Sequence, residues 1–197
     1  MVYEELKLAQ FPNCTVLIFL FTGVDTPVLK QVKEQLISGN KDYDFCFLNP
    51  QHIISLEHLY SSIHKAVLNH EFGNMRAKTL NTEIIFNLSP INNIMDALKR
   101  FGVDEACPNL ITIKVLPTSE CNEIAFKDLN DHLLKILSTN DSHNPRLNNE
   151  IIFDSLVDLK KLKKVYKLND AKFSKDESDL QGELTRLAIG ACQLRGC

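Results

Sequence analysis

A chain of 197 residues that is 44% hydrophobic and 24% charged has the composition of an ordinary globular domain. At this length a hydrophobic core can be buried without disulfides or a structural metal. The formal net charge of −3 excludes a uniformly basic nucleic-acid-binding protein. Any contact with RNA must therefore come from a local basic patch.

The first ten residues are polar and acidic and lack an apolar signal core. The most apolar run, residues 15–21, is too short to cross a bilayer. We therefore expect a protein of the nucleus and cytoplasm with no membrane partner. The six cysteines are scattered singly, without the clustering that a zinc site or a disulfide framework needs. They are interpreted as reduced side chains packed as small hydrophobes, and no metal or cofactor is predicted.

The first predicted element is a central strand over the apolar, β-rich residues 14–22. A helix then begins at Thr26-Pro27, where a hydroxyl side chain can cap it and proline suits the first turn. Gly39 is the predicted end of this helix. Residues 43–48 predict a second strand, which a following Asn-Pro pair terminates.

Ser55 is predicted to cap a longer helix, whose apolar residues recur at helical spacing as far as Val67. A short basic loop follows, and the apolar residues 83–88 predict a third strand that Ser89-Pro90 ends. The sequence therefore continues to alternate strand and helix up to this point.

Asn93 is the predicted cap of the next helix, and Gly102 is placed to be its left-handed C-terminal residue. Residues 110–116 predict a fourth strand. The order β-α-β-α-β-α-β favours an α/β fold of the α+β layered kind, with a four-stranded central sheet flanked by helices. Strand order and direction stay open.

A further helix is predicted over residues 125–137, followed by a mobile loop rich in Asn, Ser, His and Pro at residues 138–149. Residues 155–168 predict a helix with one apolar side and five lysines. The last helix begins at residue 178. We expect a single domain over residues 1–197, in which residues 178–197 form a C-terminal helical extension.

Motifs of common enzymes are missing from the sequence, which has no Gly-rich phosphate loop, no G-x-S-x-G and no H-E-x-x-H. His58, His64 and His70 are six residues apart on one predicted helix, so they point in different directions and cannot share a metal. The chain is interpreted as a non-catalytic binding protein. The alternative is a small α/β enzyme of hydrolase type, with an active site assembled from separated histidines and carboxylates.

The last predicted helix has more apolar surface than one side can use. At about 100° per residue, five residues fall within roughly an 80° stripe that can anchor the helix to its own domain: Leu180, Leu184, Leu187, Ala191 and Leu194. A second flank is made of small residues: Gly182, Thr185, Ala188, Gly190 and Cys192. Small side chains let another backbone approach closely, so this flank is predicted to dock a partner. The alternative is a helix sandwiched wholly within its own fold.

Two groups of cations are candidates for phosphate contact without sequence reading. Arg76 and Lys78 lie on the basic loop, with Lys99 and Arg100 at the end of the following helix. The helix over residues 155–168 adds Lys160, Lys161, Lys163, Lys164 and Lys167. A solvated basic face is the alternative interpretation.

The residues around this loop resemble a known family. They read N-M-R at 74–76 and L-N-T-E-I-I-F-N-L-S-P at 80–90, followed by Asn93-Ile94 and Phe101-Gly102. This pattern is similar to the PRPK-binding protein family, called TPRKB in animals, which is the small accessory subunit of the EKC/KEOPS complex. The ending Q-L-R-G at 193–196 is similar to fungal members. Residues 138–154 do not match clearly, and Cys197 stands where an apolar residue is more usual.

The resemblance implies a non-enzymatic subunit that binds the small atypical kinase of the complex, chiefly through its C-terminal helix, and reaches the other subunits indirectly. The complex makes threonylcarbamoyladenosine in tRNA, and the family subunit is expected to support tRNA binding at the acceptor end. In fungi a link to telomere maintenance is also implied. No cofactor is expected.

Carried onto this sequence, the resemblance selects two sets of residues. The predicted kinase-facing residues are Leu184, Ala188, Ala191, Cys192 and Arg195. The predicted tRNA-facing residues are Arg76 and Lys78, with Lys99 and Arg100 in a lesser role. The sequence does not fix which face of the last helix meets the kinase.

Overall fold

A computed structural model describes residues 2–140, 144–173 and 177–195. Cys197, Gly196 and part of the predicted loop at 138–149 lie outside the described residues. The chain divides into two compact units. Unit 1 comprises Met1–Leu48 and Val103–Leu147, and unit 2 comprises Asn49–Gly102 and Asn148–Cys197. The single domain expected over residues 1–197 stays a prediction.

Unit 1 contains a four-stranded sheet in which every neighbouring pair is antiparallel. Its strands are β1 Glu4–Lys7, β2 Cys14–Phe21, β3 Cys46–Leu48 and β4 Leu110–Pro117, in the order β1-β2-β4-β3. In the register, Ile113 of the inner strand β4 pairs with both Ile18 and Cys46. The predicted class, a four-stranded sheet with helices and a C-terminal helix, is confirmed.

Two helices of unit 1, α1 Thr26–Ser38 and α5 Glu123–Ile136, share one core with alternate residues of β2. That core contains Leu17, Phe19, Phe21, Leu29 and Leu133. Gly39 ends α1 in the left-handed conformation with φ 72°, as predicted. Thr26 is not the cap, however, because Asp25 holds that position and the Thr26 hydroxyl donates to the carbonyl of Glu105.

The strand predicted at residues 83–88 is wrong, because this segment belongs to the helix α3 Leu80–Asn87. The Thr79 side chain caps the helix by accepting a hydrogen bond from the backbone of Thr82. Glu83 is buried, and its carboxylate accepts hydrogen bonds from the backbone N–H groups of Arg76 and Ala77 at 3.0 and 2.8 Å. These bonds need Glu83 in the first turn of a helix. The fourth strand is β1 instead, which the sequence did not predict.

Unit 2 is helical. It comprises α2 Leu56–Glu71, α3, α4 Ile94–Phe101, the short α6 Asn149–Ile151, α7 Leu159–Val165 and α8 Glu177–Gln193. Both predicted caps are confirmed, since Ser55 and Asn93 accept hydrogen bonds from backbone N–H groups in the first turns of α2 and α4. Gly102 is not left-handed, because its φ is −75°. It needs to be glycine because a Cβ there would lie 2.4 Å from the Leu98 carbonyl oxygen.

The single helix predicted at residues 155–168 is wrong in its first part. A π-helical turn, Ile152–Leu156, follows α6, and Val157 is extended. A new helix, α7, then starts after Asp158, whose carboxylate accepts hydrogen bonds from the N–H groups of Lys160 and Lys161. The described part of the chain contains no helix with the length and apolar character needed to span a membrane.

Candidate functional site

The inner side of α8 is lined by small residues. Leu184, Ala188 and Cys192 follow one another at four-residue intervals, and all three are buried. Thr185, next to this line, is also buried and donates its hydroxyl hydrogen to the hydroxyl of Ser55 at 3.0 Å. Because Ala188 and Cys192 are small, the α8 backbone can lie close to α2, with which it makes its contacts.

Polar bonds hold the first half of α8 in place. The side-chain amide of Gln181 donates to the carbonyl of Ile54 at 2.9 Å and to the carbonyl of Asn149 at 3.0 Å. Asn149 in turn accepts a hydrogen bond from the backbone of Leu56 at 2.7 Å. The start of α2, the start of α6 and the first turns of α8 are therefore joined by one set of hydrogen bonds.

The last turn of α8 is fixed from α2. Lys65 donates from Nζ to the carbonyl oxygens of Cys192 and Gln193 at 3.3 and 3.4 Å. The Gln193 side chain donates to the hydroxyl of Ser61 at 2.8 Å. A lysine at these carbonyls meets the negative end of the helix dipole and so stabilises the C-terminus of α8.

Arg195, just beyond α8, fastens the chain to the end of α3. Its guanidinium donates to the carbonyls of Phe86 and Ser89 and to the side chain of Asn87 at 3.1 Å. The group lies 3.7 Å from the centre of the Phe86 ring. Arg195 therefore acts within unit 2 in this conformation, rather than as an open contact for a partner.

The outer side of α8 carries the larger apolar residues. Leu187 and Leu194 are 43% and 69% exposed, and Ala191 lies between them, half-buried. Leu194 directly follows the last residue of α8, and its backbone N–H still donates to the Gly190 carbonyl in the helical pattern. At about 100° per residue these three positions fall within roughly 60° of the helix circumference. A Cβ placed on the adjacent Gly190 would meet no described atom within 4 Å. We call Leu187, Ala191 and Leu194 the leucine face.

The expected division of α8 into two sides is therefore wrong in part. Thr185, Ala188 and Cys192 of the small flank, expected to be open to a second protein, pack inward, whereas Gly190 of that flank has open space at its Cβ position. Of the stripe expected to anchor the helix, Leu184 is buried, but Leu187 and Leu194 are exposed. All five predicted kinase-facing residues lie within the described part of the chain. Leu184, Ala188 and Cys192 are buried, Arg195 is bonded internally, and Ala191 lies on the leucine face. Periodicity shows where the apolar residues of a helix are, but not which line of them is small enough to approach α2.

A shallow groove adjoins the leucine face. It has a volume of about 240 Å³ and is lined by Ala171, Lys172, Phe173, Glu183, Arg186 and Leu187. Leu187 belongs to both the groove and the leucine face, so the apolar surface of α8 continues toward Phe173. A partner that covers Leu187 can also place a side chain in this groove.

The four predicted tRNA-facing cations differ in how freely they extend. Arg76 is exposed, and its guanidinium donates to the side chain of Asn92 at 2.7 Å. Arg100 forms an ion pair with Asp96 at 2.7 Å. Lys78 and Lys99 are exposed. The two lysines are thus exposed, whereas the two guanidinium groups are bonded to neighbouring side chains.

A buried polar network lies beneath α8 that the sequence analysis missed. Tyr166 donates its hydroxyl hydrogen to the Leu88 carbonyl at 2.7 Å, and its oxygen lies 3.0 Å from Nε2 of His58. Nδ1 of His58 is buried and has no hydrogen-bond partner among the described residues. Burial lowers the pKa of His58 to about 4 and raises the pKa of the Cys192 thiol to about 11. Both groups are therefore neutral at pH 7.

An enzyme of hydrolase type would need histidines and carboxylates that converge in a cleft. A groove of about 360 Å³ in unit 1 contains His132 and Asp42. However, Nε2 of His132 lies 2.7 Å from the backbone oxygen of Asp42, and the ring stacks on Phe45. Within the described residues, no group of three His, Cys, Asp or Glu side chains could hold a metal ion. His132 therefore has a packing role in this groove.

Comparisons with known proteins identify the family of this chain. The family model described as "Kinase binding protein CGI-121" matches residues 21–196. The chain is 46% identical to the "EKC/KEOPS complex subunit CGI121" of Candida albicans over the full length of both chains. It is 31% identical to the subunit of the same name from Aspergillus fumigatus, covering 98% of this chain and 96% of the relative. The Yarrowia lipolytica subunit is also 31% identical, with 95% and 98% covered.

The chain belongs to the CGI-121 family of kinase-binding proteins. The resemblance noted from the run at 74–90 is confirmed. That run forms the basic loop and α3, whose last turn is bonded to Arg195. The family signature therefore lies in the same part of unit 2 as the groups that bind Arg195 and hold the end of α8.

Proposed function

We propose that this protein is a non-catalytic subunit of an EKC/KEOPS complex and binds the small atypical kinase of that complex through the leucine face. Relatives that match this chain over nearly its whole length carry the name of that subunit, and the family that it matches is described as kinase-binding. The observation that carries the proposal is the exposure of Leu187 and Leu194 on a helix that is otherwise firmly held.

The leucine face has the form of a helix-recognition surface. Leu187, Ala191 and Leu194 stand at i, i+4 and i+7, so they present one apolar line about 10 Å long. Gly190 lies beside this line with open space at its Cβ position, so a partner helix can approach closely. Hydrogen bonds from Gln181 and Lys65 hold α8 before binding, which lowers the ordering cost of association.

A contribution to tRNA binding is the second part of the proposal. The exposed lysines Lys78 and Lys99, with Arg76 and Arg100, can contact phosphates without reading sequence. In this role the subunit supports threonylcarbamoyladenosine formation in the nucleus and cytoplasm, and the link to telomere maintenance belongs to the complex as a whole. The support for this part is the family membership together with these cations.

The kinase-binding proposal is tested with a double substitution, Leu187→Glu with Leu194→Glu, titrated calorimetrically against the purified kinase of the same complex. Two desolvated carboxylates at the centre of an apolar contact should weaken binding at least about 100-fold. The matched control is Ile37→Glu with Ile124→Glu in unit 1, since these isoleucines are 81% and 74% exposed.

The control protein should bind like the wild type, because its substitutions carry the same charge but lie away from α8. If both double variants bind with wild-type affinity, the leucine face is not the docking surface. Equal weakening of both variants would also contradict the proposal, since it would show a general effect of charge.

A further inference from the structure

Helix α7 concentrates positive charge on one side. Residues 160–167 include five lysines, and no acidic residue occurs from 159 to 169. Leu162, Val165 and Tyr166 are buried, so α7 is anchored by its apolar side. Lys160, Lys164 and Lys167 are exposed. Lys160 and Lys164 share one side of α7, and Lys167 follows two residues after the end of the helix; we call these three residues the lysine face.

The lysine face is unfavourable in the free protein. Lys160 and Lys164 are four residues apart on α7, a spacing at which like charges repel. Lys160 also lies in the first turn, at the positive end of the helix dipole. The nearby carboxylate of Asp158 bonds the backbone of that turn and lies 3.9 Å from Lys161, which is outside the lysine face. A polyanion bound here would relieve this repulsion.

A short turn connects α7 with the last turn of α4. In this 3-10 turn, Pro50–His52, Gln51 accepts hydrogen bonds from the backbone of Asp158 and from Nζ of Lys161 at 3.0 and 2.8 Å. The His52 ring contacts Phe101 of α4 at a centroid distance of 5.5 Å. Lys99 is exposed two residues before Phe101, on the other side of α4, so it is not part of the lysine face.

The pKa of His52 responds to the positive charge around this turn. Burial lowers its pKa most and the charge of Lys161 lowers it further, whereas a hydrogen bond with the backbone of Arg100 raises it. The charge of Arg100 lowers the pKa by a smaller amount, and that of Asp158 raises it. Lys161 of α7 and Arg100 of α4 therefore both lie close enough to act on this ring.

Helix α7 also lies beside the shallow groove that adjoins the leucine face. Nζ of Lys163 is 4.8 Å from the centre of the Phe173 ring, and Phe173 lines the groove together with Lys172 and Arg186. An anion bound along the lysine face would thus lie next to a partner docked on the leucine face.

We propose that the lysine face of α7 binds the phosphodiester backbone of RNA without reading its sequence. Lysine is depleted in protein–protein interfaces, whereas nucleic-acid interfaces are strongly positive. A membrane surface fits less well, because α7 turns its apolar residues inward and offers none to insert. The inference rests on the proposed contribution to tRNA binding and adds a contact surface separate from Arg76 and Lys78.

The test uses the full chain and an unmodified tRNA transcript, with affinity measured at several salt concentrations. The variant Lys160→Gln, Lys164→Gln, Lys167→Gln should bind roughly 10- to 100-fold more weakly, and its salt slope should fall by about 2 to 3, as expected when three phosphate contacts are lost. The matched control replaces three exposed lysines of unit 1 by Gln: Lys30, Lys127 and Lys135. This control has the same net charge and should stay within about twofold of the wild type.

A third variant, Arg76→Gln with Lys78→Gln, separates this inference from the proposed function. If that variant loses affinity and the α7 variant does not, the lysine face is not an RNA site while the tRNA proposal stands. If the wild type does not bind the transcript, both fail. Equal losses in the α7 variant and the unit 1 control would overturn the inference, since only net charge would matter.

Two further measurements exclude other partners for the lysine face. The same α7 variant is titrated against the kinase and against vesicles containing phosphatidylserine. The inference predicts unchanged kinase affinity and no vesicle binding by the wild type. A loss of kinase or vesicle binding without a loss of tRNA binding would overturn it.

Discussion

The two sides of α8 are both apolar, but they differ in their share of small residues and in what holds them. The inner side uses Leu184 together with the small residues Ala188, Cys192 and Thr185, and polar bonds such as that between Thr185 and Ser55 reinforce it. The outer side presents Leu187 and Leu194 to solvent. The difference teaches that close approach of two backbones, rather than the number of large apolar side chains, decides which side of this helix packs inward.

The assignment of the two sides of α8 is tested most directly by placing the same charge on each side. Ala188→Glu puts a carboxylate at a fully buried position and should lower the free energy of unfolding by roughly 3–5 kcal/mol. Leu187→Glu, one residue away on the exposed side, should change it by less than about 0.5 kcal/mol. Thermal unfolding of the two variants measures the difference. Similar melting temperatures would contradict the assignment of the sides.

The polar network beneath the inner side predicts a pH dependence. His58 is kept neutral in the folded protein with a pKa of about 4, whereas the unfolded chain takes up a proton below about 6.5. Its contribution to stability is therefore fully present above pH 6.5 and is lost as the pH falls from 6.5 to 4. The loss should reach about 3 kcal/mol.

Urea unfolding of the wild type and of His58→Phe at pH 7 and pH 4 measures this contribution. The carboxylates whose pKa values are lowered, such as Asp158, lose stability in the same direction but in both proteins, so the difference isolates His58. If the two proteins lose the same stability over this range, His58 is not held neutral by the fold.

A smaller effect is expected at the end of the helix. Arg195→Ala removes the hydrogen bonds to Phe86 and Ser89 and should cost roughly 1–2 kcal/mol, with faster amide exchange in the last turn of α8. Arg195→Lys should recover less than half of this loss, because a lysine cannot reproduce the forked geometry. Exchange rates equal to those of the wild type in both variants would remove Arg195 from the support of α8.

Much of unit 1 and of the helix caps could be predicted from the sequence. The strand β2 is a nearly continuous apolar run and β4 is rich in β-branched residues, and Ser55, Asn93 and Gly39 carry local signals for helix ends. Residues 83–88 failed because they are buried on every side, so no helical period is visible among them. In the helix, the Glu83 carboxylate accepts hydrogen bonds from the N–H groups of Arg76 and Ala77, and hydrophobic periodicity does not reveal these bonds.

The candidate site could be predicted only in part for a related reason. The sequence shows that α8 has apolar residues around more than half of its circumference, and the family resemblance identifies α8 as the docking element. Which side is free depends on the space available beside α2, and periodicity does not contain that information. The strand β1 was missed because it has only four residues, which form a strand by pairing with β2.

The central claim is that a kinase covers the leucine face, and site-specific photo-cross-linking tests it most directly. A photoreactive amino acid is placed at position 187 or 194 on α8, or at position 124 in unit 1, and the full chain is irradiated with the purified kinase. The account predicts covalent capture of the kinase from 187 and 194 and none from 124. Capture from 124 with none from either position on α8 would contradict it.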